Sequence, residues 1–175
     1  AGTFGISPQF VDAESGTWEA PDLTEKFEPA EGAEVSGTLA LAWKNGATAD
    51  FKIKAESGIK DLKMESSWQV NGDSKGFIRV DLLVPPDVAR DVEITGAKGT
   101  LFSGGKSMDV GAGSPGPIVF TSASTGKKLF EVEGSFVASA VGDAESGIDM
   151  RISPETTGDS TISSATELNW TIVFP

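Results

Sequence analysis

The chain ends Leu168-Asn169-Trp170-Thr171-Ile172-Val173-Phe174-Pro175. Its large apolar side chains fall at 168, 170, 172 and 174, every second position. Successive strand side chains point to opposite sides, so this period puts all four on one face of a β-strand. A run this apolar has to be buried against another layer. The N-terminus repeats the pattern, with Phe4, Ile6 and Phe10 at even positions. Both ends of the chain are expected to be structural strands.

Working inward, two hairpins are predicted. Residues 38–44 carry Leu39, Leu41 and Trp43 on one face, and residues 47–55 carry Ala49, Phe51, Ile53 and Ala55. Asp50, Lys52 and Lys54 point the other way. Asn45-Gly46 between these runs predicts a type I′ turn, which needs positive φ at both central residues. The second hairpin is predicted across Asn71-Gly72-Asp73. It would join Leu62, Met64, Trp68 and Val70 to the run Phe77–Val84, which ends at Pro85-Pro86 because proline donates nothing to a ladder.

Shorter strands are expected at Val92–Ile94, Thr100–Phe102 and Met108–Val110. Longer ones are expected at Ile118–Thr121 and Lys128–Val137, joined across 122–126, and where Ile148, Met150 and Ile152 alternate. Pro21–Phe27 could form one helical turn, and no helical period persists for three turns. Residues 153–166 read as an exposed polar loop. Strands at this spacing give an all-β fold, an immunoglobulin-like antiparallel β-sandwich. Residues 1–13 would be an N-terminal extension and 14–175 a single domain.

Composition removes several functions. The 175 residues include 26 acidic and 14 basic side chains, a net charge of −12. A phosphate backbone needs clustered Lys and Arg, so nucleic acid is not an expected partner, and the acid excess serves solubility. There is no Cys and no His. That excludes the Ser-His-Asp and Cys-His nucleophile systems and the usual zinc and copper sites. No run is long and apolar enough to span a membrane as a helix. The opening Ala1-Gly2-Thr3-Phe4 has the form left by signal-peptide cleavage, so the protein is expected to be exported to the cell surface or beyond. No cofactor is expected.

Candidate sites are few. Asp-Ala-Glu-Ser-Gly occurs at 12–16 and 143–147, and Ala-Glu-Ser-Gly at 55–58. The acids Asp12, Glu14, Asp143, Glu145 and Asp159 sit near glycines and could face calcium. They lack the spacing of an EF-hand loop, and solvated turns explain them. Glu131 with Glu133, and Asp149 with Arg151, are two apart on strand faces. No spacing places a glycosidase pair, so catalysis is not expected. Trp43, Trp68 and Trp170 lie on apolar faces and read as core. Trp18 lies in a loop-like stretch and is the candidate ligand-stacking residue.

An alternating apolar C-terminal strand with an aromatic next to last, Phe174 here, resembles the disulfide-free bacterial fimbrial (pilus) subunits of the chaperone–usher type. So does an alternating N-terminal extension. The resemblance implies that Phe4, Ile6 and Phe10 would be donated to a neighbouring subunit. The C-terminal edge strand, with Leu168, Trp170, Ile172 and Phe174, would help to receive such a strand. It further implies, as partners, other copies or related subunits, a periplasmic chaperone, an usher and a host glycan or protein receptor. Strand addition of this kind satisfies an open sheet edge and an apolar groove together. The chain departs from the family in having Phe for the usual penultimate Tyr, and Ile162 where a Gly usually stands.

The first functional expectation is therefore a structural or adhesive filament subunit. A self-contained carbohydrate-binding or surface-attachment module is the second, and a phage or virion structural protein the third. An N-terminal strand free of its own fold would mark the first. An N-terminal strand packed in its own sheet, with Trp18 exposed, would mark the second.

Overall fold

The computed structural model describes residues 5–12, 15–21, 23–24, 28–29, 34–44, 46–56, 61–69, 76–155 and 167–175. Strands dominate. In chain order they are β1 (Gly5–Asp12), β2 (Trp18–Glu19), β3 (Leu23–Thr24), β4 (Glu28–Pro29), β5 (Glu34–Ala42), β6 (Thr48–Glu56), β7 (Asp61–Gln69) and β8 (Gly76–Val84). After the single helical turn α1 (Pro86–Ala89) come β9 (Val92–Gly96), β10 (Gly99–Ser103), β11 (Lys106–Ser107), β12 (Ser114–Pro115) and β13 (Ile118–Ser122). The last are β14 (Lys128–Gly134), β15 (Val137–Asp143), β16 (Gly147–Ser153) and β17 (Glu167–Val173).

All pairings are antiparallel, and they build the expected all-β sandwich. One layer runs β5–β6–β7–β17–β14–β13–β9–β10. The other runs β15–β16–β8–β1–β2. On one side the short β11 pairs with both β10 and β15 and joins the layers by hydrogen bonds. On the other side Trp43 closes them. Its Nε1 donates to the Glu19 carbonyl at 2.9 Å, and its ring lies 6.4 Å from that of Phe10.

The core lies between the layers. Leu41, Phe51, Ile94, Phe102, Ile118, Phe120, Val132, Leu168 and Trp170 meet Phe10, Ile78, Val80, Leu82, Met150 and Ile152. Alternation selects these residues on β13, β16 and β17, whose burial follows every second position. In β8 all residues but Leu83 are buried. One face of β8 fills the core, and its other face is covered as well.

The hairpin at Asn45-Gly46 exists, with a different turn. Trp43 N donates to the Ala47 carbonyl, and Gly46 N to the Trp43 carbonyl. Gly46 has φ 86°. This is a three-residue loop with glycine in the left-handed position, a G1 bulge in place of the expected type I′ turn. The second expected hairpin does not form. β7 pairs with β6 and β17, whereas β8 pairs with β1 and β16. The two strands belong to opposite layers; Asn71-Gly72-Asp73 itself lies outside the described residues. A local reversal signal fixes where the chain turns, not which strand it meets.

Other expectations resolve similarly. The run 128–137 divides at Gly134, and Met108–Val110 is not a strand. The helical turn expected at 21–27 is replaced at 23–24 by β3, which pairs with β5; residues 22 and 25–27 lie outside the described residues, as does most of 153–166. The repeated pentapeptide is a turn device. Asp12 Oδ1 accepts from Ser15 N and Oγ, and Asp143 Oδ1 accepts from Ser146 N and Oγ. Each Asp closes its own reversal, between β1 and β2 or between β15 and β16, as an Asx turn does.

Gly134 is required by close approach. Its φ is 145°, and a Cβ there would lie 2.6 Å from the Asn169 carbonyl oxygen of β17. Gly134→Ala should therefore lower stability by about 1–3 kcal/mol through strain and a backbone clash. Urea unfolding checks this; an unchanged midpoint would refute the close-approach account.

Candidate binding face around Trp18

The outer face of β1, β8 and β16 is built on a charge pattern that reads twice in the sequence. β8 carries Arg79-Val80-Asp81, and β16 carries Asp149-Met150-Arg151. The strands are antiparallel, and Arg151 stands directly opposite Asp81. Opposite charges thus meet across the ladder as well as along each strand.

The β8 pair is buried, with Arg79 6% and Asp81 4% exposed. The guanidinium grips the carboxylate through two bonds, Nε to Oδ1 at 2.6 Å and the second terminal nitrogen, Nη2, to Oδ2 at 2.8 Å. Burial pushes the Asp81 carboxyl above its ordinary value, and the charge of Asp149 adds to that; the Arg79 hydrogen bond opposes it. On β16 Arg151 Nε donates to Asp149 Oδ2 at 3.1 Å.

Trp18 lies over this row. β2 pairs with the end of β1, placing Trp18 opposite Val11. From there the indole reaches across β1 to β8 and β16. Its ring centroid is 5.0 Å from the Arg79 guanidinium carbon and 4.7 Å from that of Arg151. Both contacts are cation–π in kind. Half of Trp18 remains exposed to solvent.

The other sequence-selected residues lie elsewhere. Phe10 is buried, Ile6 packs against the core, and Phe4 is outside the described residues. β17 is an interior strand, not the expected edge strand, because β14 and β7 occupy its two sides. Leu168, Trp170 and Ile172 are buried, while Phe174 follows the strand end, half exposed, with its ring 5.9 Å from Phe130. Trp43 and Trp170 are core residues, and the Trp68 side chain is outside the described set.

The acidic candidates are tied up locally. Asp143 sits below its ordinary pKa because the Ser146 N–H, the Ser146 hydroxyl and the Glu145 N–H all donate to it. Glu131 is paired with Lys128 at 3.0 Å. Glu133 lines a polar groove of about 320 Å³ with Lys63, Glu65, Asn169 and Thr171, which offers no exposed aromatic ring. Among the described residues no three acidic side chains gather as metal ligands.

Sequence reasoning missed Arg79 and Asp81, which alternation assigns to solvent. The signal lay in the reversed order of the two motifs, Arg-Val-Asp and Asp-Met-Arg. It becomes visible only once the strands are known to be neighbours.

Two outcomes follow for stability. Asp81→Ala leaves Arg79 buried without its carboxylate and should cost about 3–5 kcal/mol, read by urea unfolding. Separately, Ser122 and Ser124 donate to Asp91 and hold its carboxyl below the ordinary range. A carboxylate with a lowered folded pKa contributes stability at neutral pH and loses it as pH falls through that value. Asp81, shifted upward, has the opposite slope. Asp91→Asn should therefore lower the melting temperature near neutrality and flatten its decline below about pH 4. An unchanged acid limb would contradict this.

No protein-family model, no curated protein and no solved structure matches the chain.

Proposed function

We propose that the protein is an exported, self-contained β-sandwich module that attaches to carbohydrate through the face around Trp18. One observation carries this reading: a half-exposed indole lies over two arginines on the outer face of the β15–β16–β8–β1–β2 layer. Sugar rings present C–H faces that pack on aromatic rings, and their hydroxyls need directional polar partners, which Arg151 offers beside the ring. Pre-ordering by the strands below reduces what binding loses in side-chain freedom. β1 lies in its own sheet, paired with β8 from Gly5 to Asp12, as the self-contained reading expects.

The test is glycan binding by the wild-type protein and by Trp18→Ala. Trp18→Ala should lose most of the affinity, at least about tenfold for one lost stacking contact with its water exclusion, while its melting temperature stays close to wild type. Equal binding by both proteins, or no binding of any glycan by either, would end the proposal.

A filament subunit remains the second reading, because β1 is the first described strand and carries Phe10 and Val11 into buried positions. A strand with those contacts could be given by a neighbouring copy, with a chaperone and usher as assembly partners. A protein lacking residues 1–13 should then melt lower and be restored, saturably, by a peptide of those residues. A truncated protein that stays stable and ignores the peptide would remove strand donation.

A further inference from the structure

The exposed apolar side chains are unevenly placed. Of the five large apolar side chains exposed among the described residues, Trp18, Leu83 and Val141, each 42–50% exposed, lie on the outer side of the β15–β16–β8–β1–β2 layer, whereas Met108 and Phe174 lie outside it. Leu83 and Val141 flank Asp149 in one cross-strand row, with Gly5 beyond Leu83. These residues, with Ser146 and Gly147, line an open groove of about 470 Å³. That is within the range of small-ligand sites. The groove and Trp18 are linked by β16. Arg151 lies against the indole, and Asp149, two residues away and about 7 Å along the strand, lines the groove.

The polar groups between them are incompletely used. Arg151 spends Nε on Asp149 and, among the described residues, makes no hydrogen bond through its Nη groups. Asp149 Oδ2 receives that bond, and Oδ1 is shielded with no partner among the described residues. The Asp149 side chain as a whole is 27% exposed. Turning the carboxylate toward the groove would therefore forfeit nothing at Oδ1 and would offer it a donor. A shielded carboxylate oxygen without a donor is costly.

Charge selects the kind of ligand. The row contains Arg79, Arg151, Asp81 and Asp149, which balance. An anionic ligand reaching Arg151 would lie beside two carboxylates in a protein of net charge −12. A neutral ligand with both hydroxyl donors and acceptors meets no such penalty. Resting on the carbohydrate reading above, we infer that the ligand is an uncharged oligosaccharide of at least two rings. One ring stacks on Trp18, and the next sits in the groove between Leu83 and Val141, donating a hydroxyl to Asp149 and accepting from Arg151.

Calorimetric titration of the full chain tests this with neutral mono-, di- and tetrasaccharides and with the same backbones carrying uronic or sialic acid. Wild-type affinity should rise about tenfold or more from mono- to disaccharide, and acidic sugars should bind more weakly than neutral ones. Asp149→Asn should weaken disaccharide binding about tenfold, as for a lost charged hydrogen bond, and leave monosaccharide binding unchanged. Leu83→Ser, at an exposed position, should act in the same way and guards against a folding defect in Asp149→Asn. If only Trp18→Ala matters, or acidic sugars bind best, the two-ring neutral site is wrong while carbohydrate binding stands. If no sugar binds, the carbohydrate reading falls with it.

Discussion

Every β-sandwich has to dispose of its sheet edges, and this chain's architecture follows from how it does so. Unpaired strand edges expose rows of backbone donors and acceptors that invite foreign strands. Here β11 bridges β10 and β15, so the two layers share one hydrogen-bonded seam. β3 and β4 cover the outer side of β5. β2 covers one end of β1, and Pro8 guards the rest. Asp12 directs its backbone groups toward β2, donating to Thr17 and accepting from Gly16. By the period of two, Pro8 faces the same open side, where it has no N–H to give. The outer edge of β1 thus lacks a donor at the position where an added strand would need one.

Closure also explains the buried charges. Once β1 and β8 are drawn beneath Trp18, the outer side of β8 ceases to be a solvent face. Arg79 and Asp81 remain ionic partners there because each supplies what the other lost on leaving water. Such a pair adds little net stability compared with a well-packed apolar pair, although breaking it is costly. The same row props the indole at its half-exposed position. The ring is consequently held by one buried guanidinium, Arg79, and one partly exposed, Arg151. On the opposite layer, the outer face around Lys63, Glu65 and Glu133 has charge without an exposed ring, and it lacks this combination.

Much of the local structure could be read directly. The alternation of Leu168, Trp170 and Ile172 fixed a buried strand, as did that of Ile148, Met150 and Ile152, because a period of two needs no knowledge of partners. The absence of His and Cys fixed the chemistry that the chain lacks. Trp18 stood out because its neighbours showed no apolar period. The turn pentapeptides were legible as turns because their hydrogen bonds close within a few residues.

Partnership was not legible. Asn71-Gly72-Asp73 suggested that β7 and β8 meet, and the tertiary structure sent them to opposite layers. β17 has the composition of a strand that could lie anywhere in a sheet, and only its two neighbours make it interior. Arg79 and Asp81 looked solvent-facing until Trp18 and β16 were placed beside them. The sequence by itself determined strand positions, turn sites and excluded chemistries, since these depend on contacts between near neighbours in the chain. The tertiary structure alone decided which strands pair, which polar face is buried and where an aromatic meets a free polar group, since these depend on residues brought together across the sheet.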